Sequence, residues 1–214
     1  GEFLSDEAGR EVLRIATTLS FDFAPYNSIG THKQNTTAVQ RHIEKILSLP
    51  LVDVRNIRSK KFKVVIDCVN SVGGIAIPPL LKALGVADIV MINCVADGLF
   101  PHNPEPLPEN LHEISSAMRK HKAHVGFAVD PDVDRLAIIC EDGSMFGEEY
   151  SLVAIADYIL QHKKGPTVSH LSSTRALKDI TEKRGGKYYA SAVGEVNVVE
   201  MMKKNHAVIG GEGN

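Results

Sequence analysis

The chain of 214 residues suits one large domain or two modest ones, at ~100–200 residues per domain. A hydrophobic share of 43% with 23% charged residues excludes a disordered tail, a collagen-like repeat and a disulfide-dense miniprotein. With 24 Lys+Arg against 26 Asp+Glu, the formal charge of -2 provides no global field for nucleic acid or an anionic membrane. Phosphate chemistry therefore requires a local site.

In chain order, Ser5 followed by Asp6 and Glu7 predicts a helix start with an acidic first turn, continuing to about Leu19. FDFAPYNSIGTHKQNT (21–36) is turn-rich and reads as a linker. Val39, Ile43, Ile46 and Leu47 recur at helical spacing, predicting a helix over 36–49 that Pro50 ends. KVVIDCV (63–69) is a continuous apolar run, the mark of a strand buried on both faces. The NSVGG turn holds Ser71, Gly73 and Gly74; it is not G-x-G-x-x-G, so tight packing is the better reading than a nucleotide cradle. IAIPPLLKALG then reads as a helix and ADIVMIN as a strand. The Pro-rich loop DGLFPHNPEPLP follows, in which His102 reads as a loop hydrogen-bonding group. Leu111, Ile114 and Met118 mark one face of the next helix. HVGFAV and RLAIIC are strands on either side of a five-residue turn.

Downstream, helices are expected over 148–161, 174–184 and 196–203, and strands over 166–170, 187–190 and 207–210. This alternation predicts an α/β class with two consecutive three-layer units and mostly parallel, mixed sheets. The turn at Glu141-Asp142-Gly143 separates 36–143 from 144–214, the second unit being incomplete.

Cys68, Cys94 and Cys140 are odd in number and follow apolar runs, as buried reduced thiols of a cytoplasmic protein do. No apolar stretch approaches the ~20 residues of a membrane span. The start GEFLSDEAGR has neither an initiator Met nor the pattern of a signal peptide. The end, GGEGN, stops in a glycine-rich loop just past a strand. A piece cut at both ends is expected.

The acidic string DPDVDR carries the strongest chemical signal. Asp130, Asp132 and Asp134 stand at alternate positions between two strands, and Pro131 stiffens the turn. Carboxylates so crowded repel one another unless a cation neutralises them, and hard oxygen ligands suit Mg²⁺ or Ca²⁺ rather than zinc. Arg135 beside them is a natural arm for a phosphate. An EF-hand loop fits poorly, because position 6 is Arg135 where glycine is needed and the flanks are strands. VGFAVDPD is also similar to a haloacid-dehalogenase-type phosphatase motif with Asp130 as nucleophile, but no later G-D-x-x-x-D signature follows. Elsewhere, Glu212 and Asn214 lie among glycines after a strand, where a carboxylate and an amide suit sugar hydroxyls. Gly194 and Glu195 open a helix and could face a cleft.

In order, VVIDCVNSVGG, DGLFPHNPEPLPENL, FAVDPDVDRLAII, VGEVNVVEMM and GGEGN resemble the α-D-phosphohexomutases, across nearly the whole chain. This resemblance implies transfer of a phosphoryl group between positions 1 and 6 of a hexose, through a phosphoserine and a hexose 1,6-bisphosphate. It implies Mg²⁺ on Asp130, Asp132 and Asp134, with Arg135 contacting the reacting phosphoryl group. It places Glu212 and Asn214 on the sugar-reading loop, and Gly194 and Glu195 toward the substrate, a phosphorylated hexose. The family's serine in the sugar loop is Asn214 here, and Glu195 stands where some members carry His or Asp. The phosphoserine loop T-A-S-H-N-P is absent from the sequence. Residues 1–35 read as the end of a first domain plus linker, 36–143 as a second domain and 144–214 as part of a third. A chain inactive by itself is expected. The alternatives are a self-contained metal or sugar-phosphate-binding module, and the phosphatase.

Overall fold

A computed structural model describes residues 4–19 and 21–212. The chain divides into two units, residues 1–37 and 38–214. In the first, α1 (Asp6–Thr18) starts as expected: Ser5 Oγ accepts the Ala8 N–H at 3.2 Å, and Asp6 and Glu7 occupy the first turn.

In the second unit, α2 (Ala38–Leu47) is followed by α3 (Val54–Ser59), which Asp53 caps by accepting the Asn56 N–H at 2.9 Å. The sequence reading missed α3, because six residues are too few to show a helical period. The first sheet contains β1 (Lys63–Asp67), β2 (Asp88–Ile92), β3 (Val125–Val129) and β4 (Leu136–Ile139), in the order β2-β1-β3-β4. β1 is parallel to both neighbours; β3 and β4 form an antiparallel hairpin around the acidic turn. Between the strands run α4 (Gly73–Ala83) and α5 (His112–His121).

Strand alternation sends successive β1 side chains to opposite faces. Val65 joins Leu111, Ile114, Met118 and Ile139 in one core, whereas Val64 and Ile66 join Leu81, Val86 and Val129 in the other. Both faces are therefore covered, which explains the unbroken apolar run in β1. After β4 the chain doubles back: Phe146 N–H donates to Ile138 O at 2.9 Å before α6 (Glu148–His162) begins.

The second sheet is wholly parallel, in the order β6-β5-β7: β5 (Thr167–His170) lies between β6 (Tyr188–Ser191) and β7 (Ile209–Gly211). α7 (Ala176–Lys183) and α8 (Glu195–Asn205) are its crossovers. Thr167 and Thr181, both fully buried, share a hydroxyl hydrogen bond of 2.6 Å, and Thr181 Oγ1 also donates to Leu177 O at 2.6 Å. The mixed and parallel sheets are those the sequence predicts. No described helix is long and apolar enough to cross a membrane. Of the three cysteines only Cys68 is buried; Cys94 and Cys140 are partly exposed, which corrects the expectation of three buried thiols.

A half-buried ion pair ties α6 to the end of α7: Arg184 Nε lies 2.7 Å from Asp157 Oδ1. The Arg184 guanidinium holds the Asp157 carboxyl below its ordinary range. A lowered folded pKa contributes stability above the unfolded carboxylate value of about 4, and that contribution is lost as pH falls through the folded value. Arg184→Gln is therefore expected to lower thermal stability slightly at pH 7 and to leave it unchanged at pH 2. Melting curves across that range check this; an equal loss at both ends would place the effect in packing.

Candidate active site

The acidic turn is built at the mouth of the β3–β4 hairpin. Asp130 is 8% exposed, and its Oδ1 accepts the Arg135 N–H at 3.0 Å, closing the turn across its base. Val133 is forced to φ 65°, a left-handed conformation rare for a β-branched residue, and its N–H donates to Asp130 O at 3.3 Å. Ser71 Oγ braces the turn from the β1–α4 connection by donating to Pro131 O at 2.7 Å. One carboxylate oxygen from each of Asp130, Asp132 and Asp134 lies within 4.8 Å of the others, with Asp132 and Asp134 exposed. Three convergent, acceptor-only groups form a donor set for a hard divalent cation.

Arg135 extends from this turn and its Nη1 is ion-paired with Glu105 Oε2 of the Pro-rich loop. It borders a cleft of about 650 Å³ lined by Asp134, Leu136, Ser151, His170, Glu195 and Glu212, among others. The carboxyl ends of β5 and β7 and the start of α8 thus face the arginine, as open α/β sheets place their sites. Gly194, at φ 113°, directs its N–H to Glu212 Oε1 at 2.7 Å, so the helix entrance fixes the carboxylate of the glycine-rich end. Glu195 occupies the first turn of α8, where the helix dipole favours a negative charge.

Of the residues selected from the sequence, Asp134, Arg135, Glu195 and Glu212 share this cleft, with Gly194 bonded to Glu212. Asp130 lies beneath the turn, and Asp132 borders a separate, mostly apolar groove with Val72 and Ile75. Asn214 lies outside the described residues. The sequence reading missed His170 and Ser151 in the cleft. His170 ends a predicted strand, the position from which parallel sheets present functional groups, and that was its only signal. Its Nδ1 accepts the Ser172 N–H at 3.1 Å, leaving Nε2 to carry the proton of the neutral ring.

A second polar cluster closes the carboxyl end of β1. Asp67 is 1% exposed and faces His102, whose Nε2 lies 3.1 Å from Asp67 Oδ2. His102 is thus the loop hydrogen-bonding group it was read to be. Beside this cluster, the hydrogen bond between the Cys68 and Cys94 thiols lowers the Cys94 thiol from its usual range; that bond and burial raise Cys68.

The family description "Phosphoglucomutase/phosphomannomutase, alpha/beta/alpha domain II" matches residues 40–143, and the corresponding domain III description matches 147–214. A Methanopyrus kandleri protein named "Probable phosphoglucosamine mutase" is 29% identical over 100% of this chain and 46% of its own length. A Neisseria gonorrhoeae phosphoglucomutase is 31% identical over 99% of this chain and 45% of its own. The crystal structure of a phosphoglucomutase/phosphomannomutase family protein from Burkholderia thailandensis superposes with a TM-score of 0.83 at 26% identity, covering 98% of this chain and 44% of that one. The chain thus spans a little under half the length of these relatives. The two matched domains, each with its own α/β sheet, show that this chain belongs to the phosphoglucomutase/phosphomannomutase family.

Proposed function

We propose that the 214 residues supply the metal-binding and sugar-reading parts of a phosphohexomutase, which interconverts a hexose 1-phosphate and a hexose 6-phosphate. The observation that carries this reading is the shared cleft, in which Arg135 and Asp134 of one sheet face Glu195 and Glu212 of the other. Phosphoryl transfer needs positioning and charge neutralisation more than covalent help from the protein. Asp130, Asp132 and Asp134 would hold Mg²⁺, which when bound would supply charge neutralisation for the transferring group. Arg135 binds a phosphoryl oxygen through its remaining N–H donors. Glu212, held by Gly194, accepts hydrogen bonds from sugar hydroxyls, and Glu195 sets which hydroxyl approaches. The phosphoserine that donates and recovers the phosphoryl group lies in none of these residues, so the chain binds the sugar phosphate without turning it over.

Calorimetry with glucose 6-phosphate and Mg²⁺ tests the reading. Binding is expected, weakened about tenfold or more by Arg135→Ala, the loss of a charge-assisted hydrogen bond. Neither glucose 1-phosphate nor glucose 6-phosphate should be converted. Indifference of binding to both Arg135→Ala and Glu212→Gln removes this reading. Phosphate release from p-nitrophenyl phosphate, lost in Asp130→Asn, replaces it with the phosphatase.

A further inference from the structure

Four contacts run in series from the end of β1 to Arg135. Asp67 Oδ2 faces His102 Nε2 at 3.1 Å, and His102 Nδ1 faces Asn103 O at 2.8 Å. Asn103 Oδ1 accepts the Glu105 N–H at 3.1 Å, and Glu105 Oε2 accepts from Arg135 Nη1. Asn110 Nδ2 adds a brace by donating to Glu105 O at 2.9 Å. The loop that carries Glu105 has no strand or α-helix of its own, so these side chains decide where it sits.

The head of this series is held from several sides. A backbone carbonyl only accepts, so Nδ1 of His102 carries a proton. The other ring nitrogen, Nε2, is the one that faces Asp67. Asp67 is already used as an acceptor, by the Val69 N–H at 3.1 Å and by Asn93 Nδ2 at 3.3 Å. The other groups facing it are Glu113, which shares Asn93 Nδ2 at 3.2 Å, and the Cys68 and Cys94 thiols.

We propose that His102, locked on buried Asp67, is a positioning device: it fixes the Pro-rich loop so that Glu105 aims the guanidinium of Arg135 into the cleft. An arginine on an exposed turn otherwise samples many rotamers, and ordering it costs affinity on binding. Glu105 holds one edge of the planar fork and leaves the other donors for a phosphate. The consequence for substrate rests on the function proposed above; the network itself does not.

The test uses the full chain, labelled with ¹⁵N, with glucose 6-phosphate plus Mg²⁺ as the probe. The His102 Nδ1 proton, held on Asn103 O, should be protected from solvent exchange, and the Arg135 guanidinium should show restricted rotation. Asp67→Asn, a near-isosteric change, should expose the Nδ1 proton, speed exchange at the Glu105 amide and free the Arg135 rotation. His102→Gln should likewise speed exchange at the Glu105 amide and free the Arg135 rotation, as a second variant should Asp67→Asn fold poorly. Each should weaken glucose 6-phosphate about tenfold, the worth of one charge-assisted hydrogen bond. In a Glu105→Ala background Asp67→Asn should cost nothing further, because the link is already cut. A fully additive loss in that background, or an unprotected ring proton with Arg135 unchanged in Asp67→Asn, overturns the proposal. If the wild-type chain binds no glucose 6-phosphate, the sugar-phosphate reading fails, while ring protection and Arg135 rotation still decide the network.

Discussion

With Asp130, Asp132 and Asp134 all changed to asparagine, Mn²⁺ or Mg²⁺ binding by calorimetry should vanish, and the metal-free variant should melt higher than the metal-free wild type. The two signs come from one cause. Carboxylate oxygens within 4.8 Å of one another repel, and the metal-free turn holds them there because its backbone is pinned by Arg135 N–H and Ser71 Oγ. Asparagine keeps Oδ1 as an acceptor for the Arg135 N–H and so preserves the hairpin while removing the charge. Relief of about 1 kcal/mol, discounted because two of the three side chains are exposed, corresponds to about 2–4 °C in melting temperature. Saturating Mg²⁺ should reverse the order, since a ligand bound only by the folded wild type raises its stability by mass action. Equal metal affinity in both proteins excludes the acidic turn as the site. A variant that melts lower without metal shows that the carboxylates are structural acceptors, not a strained ligand set.

Much of this arrangement was legible from residue pattern alone. The apolar runs at 63–69 and 124–129 announce strands covered on both faces, and the alternation of strand and helix announces α/β layering. The D-x-D-x-D spacing is local, so the convergence of its carboxylates could be read without knowing the fold. What could not be read is anything joined across distant segments. Glu105 and Arg135 are 30 residues apart and meet only because the Pro-rich loop folds over the hairpin mouth. Asp67 sits inside an apolar strand, where its role depends on His102, 35 residues away. His170 enters the cleft through its sheet position, which no neighbouring residue signals. The glycines at 73 and 74 were read as sites of tight packing, and their surroundings bear that out: a Cβ at Gly73 would stand 2.7 Å from Val129 Cγ2, and one at Gly74 meets backbone.

Those surroundings make Gly74→Ala the most damaging small substitution expected here. A Cβ at Gly74 would stand 2.3 Å from the carbonyl oxygen of Cys94 and 2.8 Å from its carbonyl carbon, both backbone atoms. The 93–95 segment has little room to retreat, because Asn70 N–H donates to Asn93 O at 2.6 Å and Val95 N–H donates to Asn70 Oδ1 at 3.2 Å. The start of α4 must therefore shift instead. Overpacking against backbone is expected to cost about 2–3 kcal/mol, seen as a fall of about 5–10 °C in melting temperature. Gly30→Ala, where a Cβ meets nothing within 4 Å, is the control and should change little. The effect also reaches the metal. Ser71 lies three residues before Gly74, so a displaced helix start drags Ser71 Oγ from Pro131 O and loosens the turn carrying Asp130, Asp132 and Asp134. Gly74→Ala should accordingly weaken Mn²⁺ binding severalfold, and Ser71→Ala should reproduce that weakening with a much smaller loss of stability. If Gly74→Ala destabilises the fold but binds Mn²⁺ as tightly as wild type, the brace from Ser71 does not position the metal ligands, and the rigidity of the turn rests on Pro131 and the Asp130–Arg135 bond alone.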